Sequence, residues 1–246
     1  MKYKDKGNRI VIAILIIIII IIGFIGAKLL ISLNSEKKLE TEVKEIKKYI
    51  AENNINTDQI KNYQNEDLTK GDLLIVENAI EEYSYDLAVS LKSINDILND
   101  KTLTTLLSTK NYIEDSPGFL KSKSYIKETK EKLNETKNSL LSLTKEETIE
   151  SYIKDKKLSN YNKRFYISLA EGETLSAKDA KNFENAIDKV ISLLDNSNEL
   201  FDLLIKTQGS WYVLENEVIF TNQTDLNQYM EIVKKIKGQI WKDVIG

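Results

Sequence analysis

Residues 73–98 read LLIVENAIEEYSYDLAVSLKSINDIL, and this stretch decides the fold class of the region around it. Its apolar residues recur at steps of three and four, which is the spacing of one face of an α-helix. The residues of this seam are Leu73, Val76, Ile80, Tyr83, Leu87, Leu91, Ile94 and Leu98. Thr69 and Asp72 precede the seam as a capping box, with Leu68 completing a hydrophobic staple. The pattern predicts a long amphipathic helix that starts after Thr69 and ends near Asp100.

A second long helix is predicted further along the chain, with a start of the same kind. Ser176 and Asp179 repeat the capping pattern 107 residues after Thr69. The four-residue sequence Glu-Asn-Ala-Ile at positions 77–80 recurs at positions 184–187. Such self-similarity is typical of a duplicated unit. Two unrelated amphipathic helices also share caps and seams, because helix starts have common signatures. The sequence leaves both interpretations open.

Three further helical stretches have shorter or weaker patterns. A stripe of apolar residues with helical spacing lies upstream of the first long helix. The polar stretch 53–67 follows it, and we interpret this stretch as a linker. Residues 118–143 carry apolar positions seven apart with polar companions, so this seam needs a partner or lies at a bundle edge. The stripe comprises Leu39, Val43, Ile46 and Ile50; the seven-residue series comprises Phe119, Ile126, Leu133 and Leu140; the companions are Ser122, Thr129 and Thr136.

The helices predicted after residue 143 are less regular. Thr144 and Glu147 form a possible capping box for a shorter helix that runs through Lys157. Periodicity does not decide between helix and strand for residues 161–170. A final helix follows a cap at Asn222 or Thr224. Its predicted buried face comprises Leu226, Tyr229, Val233, Ile236, Ile240 and Val244.

Residues 211–220 carry the clearest strand signal. A two-residue turn at Glu215–Asn216 pairs Trp211 with Phe220, and it brings β-branched residues opposite each other on both strands. Aromatic and β-branched cross-strand pairs favour a hairpin. We therefore predict a small hairpin, which needs helices to pack against because an isolated hairpin is marginally stable in water.

The most apolar stretch of the chain is residues 10–33. Residues 10–27 contain no charge, and the stretch reaches the roughly 20 residues that cross a bilayer. Lys28 lies near its far end, where its stem can reach the headgroups. A cleaved signal peptide is the alternative, but its apolar region is about 7–15 residues long and ends in a small-residue cleavage site. We expect an uncleaved transmembrane helix that contacts the lipid bilayer.

The charges on either side of this stretch predict its orientation. Residues 1–9 carry four basic residues and one acidic residue, and the positive-inside rule keeps such a tail in the cytoplasm. The whole chain has a net charge of −3; subtracting +3 for the tail and +1 for Lys28 leaves −7 for residues 34–246. We therefore predict a single-pass protein of the cell membrane, with an acidic C-terminal domain outside the cytoplasm.

The composition excludes several chemistries. The chain has no Cys and no His, so it offers no disulfide, thiol nucleophile, typical zinc site or Ser-His-Asp triad. The acidic balance gives no footprint for nucleic acid. Phosphate-binding glycine loops and calcium-loop motifs do not occur in the sequence. We expect no cofactor, no metal and no enzymatic activity.

Aromatic residues are the candidates for an interaction site, because aromatic side chains are enriched at interfaces. The candidates are Tyr83, Tyr85, Trp211, Tyr212 and Trp241. Core packing is the simpler interpretation of Tyr83 and Trp211, which lie on the helix seam and at the start of the hairpin. Two adjacent carboxylate pairs, Glu81–Glu82 and Glu146–Glu147, are the candidates for a glycosidase site, although neighbours in sequence point to different parts of a helix surface.

Together these patterns predict a mainly α protein: one N-terminal transmembrane helix and an extracytoplasmic, elongated helical bundle with a small β-hairpin. The expected division is a cytoplasmic tail at 1–9, the membrane helix at 10–33, a stalk helix and linker at 34–67, and a helical domain at 68–246. The expected function is a non-enzymatic scaffold or interaction component of a bacterial cell envelope, with a protein partner there. A ligand-binding or sensory ectodomain is the alternative, and a carboxylate-dependent wall hydrolase is a more distant one. The oligomeric state stays open.

Overall fold

The computed structural model of the chain describes residues 2–3, 37–51, 55, 57–63, 69–171 and 175–241. Within these residues the protein is mainly helical with a small antiparallel sheet, as predicted. The helices are α1 (Lys37–Ala51), α2 (Thr57–Tyr63), α3 (Asp72–Leu98), α4 (Lys101–Thr105), α5 (Thr109–Asp115), α6 (Leu120–Leu143), α7 (Glu146–Ser151), α8 (Asn160–Glu171), α9 (Ala177–Lys206) and α10 (Gln223–Trp241). The strands are β1 (Lys2–Tyr3), β2 (Trp211–Leu214) and β3 (Glu217–Phe220).

The residues predicted as a membrane helix, 10–33, lie outside the described residues, as does the rest of the tail apart from β1. Among the helices that the structure does describe, none combines the length and the apolar character needed to cross a bilayer.

The apolar seams of the long helices form the core. In α3 every seam residue from Val76 to Leu98 is buried, and Leu73 at the start is partly exposed. α6 begins at Leu120 rather than at 118, because Phe119 has a positive φ of 49° and stands just before the helix. Phe119 and the three apolar residues that follow it at intervals of seven within α6 are all buried, and so are the polar companions Ser122 and Thr129. The weak seam of α6 is therefore covered, and the burial of whole side chains supplies the stability that its helix propensity alone would not.

The described residues belong to two compact units. Among them, unit 1 comprises residues 2–3, 97–134 and 185–241, and unit 2 comprises residues 37–51, 55, 57–63, 69–96, 135–171 and 175–184. The boundaries fall within α3, α6 and α9, so each of these helices contributes residues to both units.

The hairpin has the predicted register. Trp211 pairs with Phe220, and the turn residues Glu215 and Asn216 both have positive φ, at 52° and 62°. Positive φ at both positions is the geometry of a type I′ turn, whose twist matches that of the strands. β1 adds to the far side of β3, pairing Lys2 with Ile219, so the strand order is β1-β3-β2.

Two of the predicted caps are present. At the start of α9, the hydroxyl of Ser176 accepts from the amide of Asp179 and donates to its carboxylate. At the start of α10, Asn222 Oδ1 accepts from the amide of Asp225 at 2.9 Å, which selects Asn222 over Thr224 as the cap. Each contact satisfies an amide that the helix itself leaves without a partner.

The other two predicted caps are wrong. α3 begins at Asp72 after Gly71, which has φ +65°, and Thr69 donates to Glu77 instead of capping with Asp72. Thr144 donates to a backbone carbonyl of α6, so α7 begins after Lys145 without a side-chain cap. Thr69 thus bonds to a residue eight positions away, and Thr144 bonds back to the helix before it instead of forward to Glu147.

Three other stretches are more helical than the sequence pattern indicates. The predicted linker 53–67 contains α2, where Ile60 is buried. The residues after Asp100 form α4 and α5, each opened by a side-chain cap. Residues 161–170, for which the pattern does not distinguish helix from strand, belong to α8. By contrast, α7 is shorter than predicted, because it ends at Ser151 and not at Lys157.

Candidate functional site

The five predicted interaction residues lie in different surroundings. Tyr83 is fully buried in α3, and Tyr85 two residues later is partly exposed. Trp211 is partly exposed at the start of β2, whereas Tyr212 is 49% exposed on the opposite face of that strand. Trp241 is the last residue of α10. Tyr83 and Tyr85 belong to one compact unit of the chain, and Trp211, Tyr212 and Trp241 belong to the other.

Tyr83 belongs to a tyrosine cluster in unit 2. Its hydroxyl donates to the carbonyl of Leu143 at 3.2 Å, and its ring meets the edge of Tyr152 at 5.6 Å between ring centres. Tyr152 donates in turn to Asp86 Oδ2 at 2.6 Å, and burial raises the pKa of Tyr152, with this bond and the Asp86 charge acting in the same direction. Buried tyrosines commonly satisfy their hydroxyls in this way. The contacts indicate a packing role for Tyr83.

Trp211 belongs to an aromatic cluster in unit 1. Its ring stacks near Phe119 at 6.1 Å, and Phe119 stacks on Phe201 at 4.8 Å. Tyr112 meets both phenylalanines edge-on. The indole nitrogen of Trp211 donates to the carbonyl of Leu204 at 2.8 Å. Trp211 therefore packs the hairpin against the helices, whereas Tyr212 is exposed to solvent.

The least expected group in the molecule is a buried acidic cluster in unit 2. It consists of Glu42 on α1 and of Glu77 and Glu81 on α3. The three side chains are 3%, 1% and 2% exposed, and one carboxylate oxygen from each lies within 4.8 Å of the others. Buried carboxylates are rare because an ionised group loses its hydration when it leaves water. Three carboxylates this close and this buried must be compensated by hydrogen bonds, cations or protonation.

Glu81 belongs to one of the carboxylate pairs that the sequence suggests, but there its partner is Glu82. Glu82 is exposed, because it points to the other side of α3. The true neighbour on the same helix is Glu77, four residues earlier, next to the seam residues Val76 and Ile80. Spacing by four places two side chains on one face. This signal was readable in the sequence, whereas the approach of Glu42 from another helix was not.

The chemistry open to the acidic cluster is limited by its burial. Three carboxylate oxygens are the hard ligands that Ca²⁺, Mg²⁺ and Mn²⁺ prefer. Glu77 also accepts from the amide of Thr69 at 2.9 Å and from its hydroxyl, which fixes the orientation of this carboxylate. Glycosidases hold their two carboxylates on either side of a sugar in an open cleft. Carboxylates that are only 1–3% exposed do not reach a wall polymer.

The second carboxylate pair considered from the sequence, Glu146 and Glu147, lies in the first turn of α7. Both residues are exposed to solvent. Acidic residues in the first turn stabilise a helix by opposing its dipole. This contribution explains the pair without a catalytic role.

A groove of about 340 Å³ lies along α6 and α9 in unit 1. Ion pairs cross between the two helices, joining Lys123 to Asp202 and Lys130 to Asp195. The lining is charged or polar apart from Ile126. The groove has neither the apolar walls nor the aromatic side chains that are typical of a small-molecule site.

The fold and these sites define a mainly helical protein with a β-hairpin, whose described aromatic clusters serve packing. Comparisons of the chain with protein-family models, curated proteins and solved structures find no match.

Proposed function

We propose that the protein is a single-pass membrane protein whose helical domain lies outside the cytoplasm and acts as a non-enzymatic scaffold of the bacterial cell envelope. Its helices present an ordered surface to an envelope protein partner. The amino-terminal segment holds that surface at the membrane.

The observation that carries the proposal is the composition of residues 10–33. Of these 24 residues, 18 are Ile, Leu, Val or Phe. Each such residue favours insertion by about 0.3–0.6 kcal/mol near the bilayer centre, or roughly 5–10 kcal/mol for the stretch before Lys28 and the glycines are counted. The basic tail at residues 1–9 favours the orientation with the amino terminus in the cytoplasm.

The pairing of β1 with β3 and a membrane span at residues 10–33 exclude each other in one chain. The span would place the tail and the hairpin on opposite sides of the bilayer. The pairing joins only Lys2 with Ile219 and Tyr3 with Val218. Hydrogen bonds contribute about 0.5–1.5 kcal/mol each, so two residue pairs yield less than insertion does. We therefore assign this pairing to chains that have not inserted.

The scaffold role is supported by which of the described side chains are packed or buried and which are exposed. The aromatic clusters are packed, and the close carboxylates of Glu42, Glu77 and Glu81 are buried. Tyr212 and Leu214 are exposed on the outer face of β2, at 49% and 47%. Aromatic side chains are enriched at protein–protein interfaces. Tyr212 is therefore the predicted interaction residue best placed to report a partner.

Membrane fractionation tests the anchor. We expect the wild-type chain to stay with membranes after a high-salt wash, whereas Ile18→Lys/Ile20→Lys releases it. Two lysines at the bilayer centre cost about 5–7 kcal/mol, which cancels most of the insertion energy. Ile18→Leu/Ile20→Leu is the matched control and should behave as wild type. Release of the wild-type chain by salt alone would refute the anchor.

Site-specific crosslinking tests the scaffold role. A photoreactive amino acid at Tyr212 should yield a discrete crosslinked protein from native membranes. The same amino acid at Asn227, an exposed polar position on α10, serves as the control. Failure to crosslink any protein at Tyr212, or identical products from both positions, would count against the proposed partner contact.

A further inference from the structure

A group of basic side chains stands out in an otherwise acidic domain. It comprises Lys154, Lys156, Lys157, Lys163 and Arg164, which we call the basic patch. With Asp155, residues 154–164 carry a net charge of +4, against −7 for residues 34–246 as a whole. The patch lies in unit 2, in the connection from α7 to α8 and in the first turns of α8.

The basic patch concentrates cations without ion pairs in one short stretch of the chain. Some lysines of the domain pair with carboxylates, for example Lys123 with Asp202 and Lys235 with Glu199, whereas single lysines elsewhere, such as Lys127, are exposed without an ion pair among the described residues. Within the described part of the chain, no residue of the patch forms an ion pair, and Arg164 makes only a bond to a carbonyl in its own helix. Five cations are therefore left to interact with something other than described acidic side chains.

The local backbone holds the basic patch in place. Ile153 is buried next to it, and successive turn hydrogen bonds join residues 151–158. Ser159 caps α8 by accepting from the amide of Asn162 at 3.2 Å. The first turn of α8 has no acidic residue of its own to offset the positive end of the helix dipole, and the carboxylate of Asp72 reaches it only through the side chain of Asn162 at 3.4 Å. Lys163 and Arg164 sit near that end, at some expense to helix stability, which favours a role outside the helix.

Tyr161 lies within the basic patch and is 59% exposed. Tyrosine is enriched at membrane–water interfaces, where its ring enters the headgroup layer. Four of the five cations are lysines, which act as hydrated point charges rather than as planar forks for one defined carboxylate. Dispersed lysines next to an exposed tyrosine fit a surface that carries many similar phosphates.

We infer that the basic patch docks on the anionic phospholipid headgroups of a membrane surface, with Tyr161 entering the headgroup layer. The inference rests on the proposed anchoring, which keeps the domain near lipid. Each Lys or Arg near an anionic surface increases the partitioning of a protein from solution onto that surface about five-fold. Docking of this kind would hold the domain in a defined orientation on a bilayer.

The test uses the full chain in nanodiscs of phosphatidylcholine, mixed with sucrose-loaded vesicles and sedimented. Wild type should sediment with vesicles that contain half phosphatidylglycerol and not with pure phosphatidylcholine vesicles. Lys156→Glu/Lys157→Glu should lower partitioning at least roughly 25-fold, since two favourable charges become unfavourable. Lys127→Glu/Lys178→Glu makes the same change in net charge at exposed positions outside the patch and should change partitioning little. The basic tail is present in every variant, so its contribution to partitioning cancels when two variants are compared.

Equal sedimentation of wild type with both vesicle types would overturn the inference, and so would equal losses in the two double variants. Binding to a soluble poly(glycerol phosphate) without binding to phosphatidylglycerol vesicles would show that the patch takes a wall-type polymer, and would also overturn it. A chain that stays out of the nanodiscs would refute the anchor instead. In that case sedimentation of the free chain with the same vesicles still decides the role of the patch.

Discussion

Replacing Glu81 by glutamine removes one charge from the buried acidic cluster while keeping the shape of the side chain. Glu42, Glu77 and Glu81 each place a carboxylate oxygen within 4.8 Å of the other two. At an effective dielectric constant near 20, two unit charges at this separation repel by about 3.5 kcal/mol. Buried carboxylates relieve such repulsion partly by taking up a proton, so only part of it is regained when one charge is deleted. We expect Glu81→Gln to raise the free energy of unfolding by about 2 kcal/mol.

The assay is chemical denaturation of the full chain in detergent micelles at neutral pH, followed by helical circular dichroism. A chelator in every sample removes divalent cations that would compensate the charge. Glu82→Gln is the matched control, because Glu82 is the exposed neighbour on the same helix and exposed substitutions usually change stability by less than about 0.5 kcal/mol. If Glu81→Gln destabilises the protein by more than about 1 kcal/mol while Glu82→Gln is neutral, the repulsion argument is wrong.

Three further predictions concern the fold. Leu133→Ala should lower the free energy of unfolding by about 2–5 kcal/mol because Leu133 is fully buried, whereas Leu120→Ala, at a position 77% exposed, should change it little; denaturation of both variants checks this. Glu215→Asn/Asn216→Gly should raise the thermal midpoint, because both turn residues have positive φ and this pair suits a type I′ turn; an unchanged or lower midpoint would contradict the turn assignment. Burial raises the pKa of Asp115, but hydrogen bonds from Ser122 and from the amide of Lys121 outweigh this effect and hold the pKa below its usual value. The ionised carboxylate therefore stabilises the fold above pH 3.8, the usual pKa. This contribution is lost as the pH falls through the lowered pKa. Asp115→Ala should therefore cost about 1 kcal/mol at pH 6 and less at pH 2.5, and a cost independent of pH would contradict this account.

The sequence predicted the parts of the fold that depend on local pattern. The hairpin register follows from side chains that alternate along two short strands, so Trp211 opposite Phe220 was readable without a structure. Helix seams were readable for the same reason, because apolar residues three and four apart share a face. The cap at Ser176 depends only on residues three apart, and it was predicted correctly.

The errors arise where a distant residue competes with a local one. Thr69 has Asp72 within reach, yet it bonds to Glu77 one helical turn further on, because α3 starts only after Gly71. The short helix α2 is held by burial of Ile60, which the polar stretch around it concealed. Tertiary packing thus overrides weak local preference.

The candidate site shows the same limit. Tyr83 and Trp211 were foreseen as core residues on helix and strand patterns, and both are packed against other aromatic rings. The acidic cluster was missed because Glu42 comes from another helix, and no local pattern predicts which face of α1 meets α3. The basic patch was not singled out from the sequence, and the absence of ion pairs on it among the described residues is a property of the folded chain.

The most direct test of the proposed topology uses the absence of cysteine from the chain. Single cysteines introduced at Lys6 and at Lys110 mark the tail and the helical domain, and Lys110 lies on the surface with 81% of its side chain exposed. Intact cells, freed of their wall, are treated with a membrane-impermeant maleimide. The account predicts that Lys110→Cys is labelled at once and that Lys6→Cys is labelled only after lysis. Labelling of Lys6→Cys in intact cells, or protection of Lys110→Cys, would contradict the account.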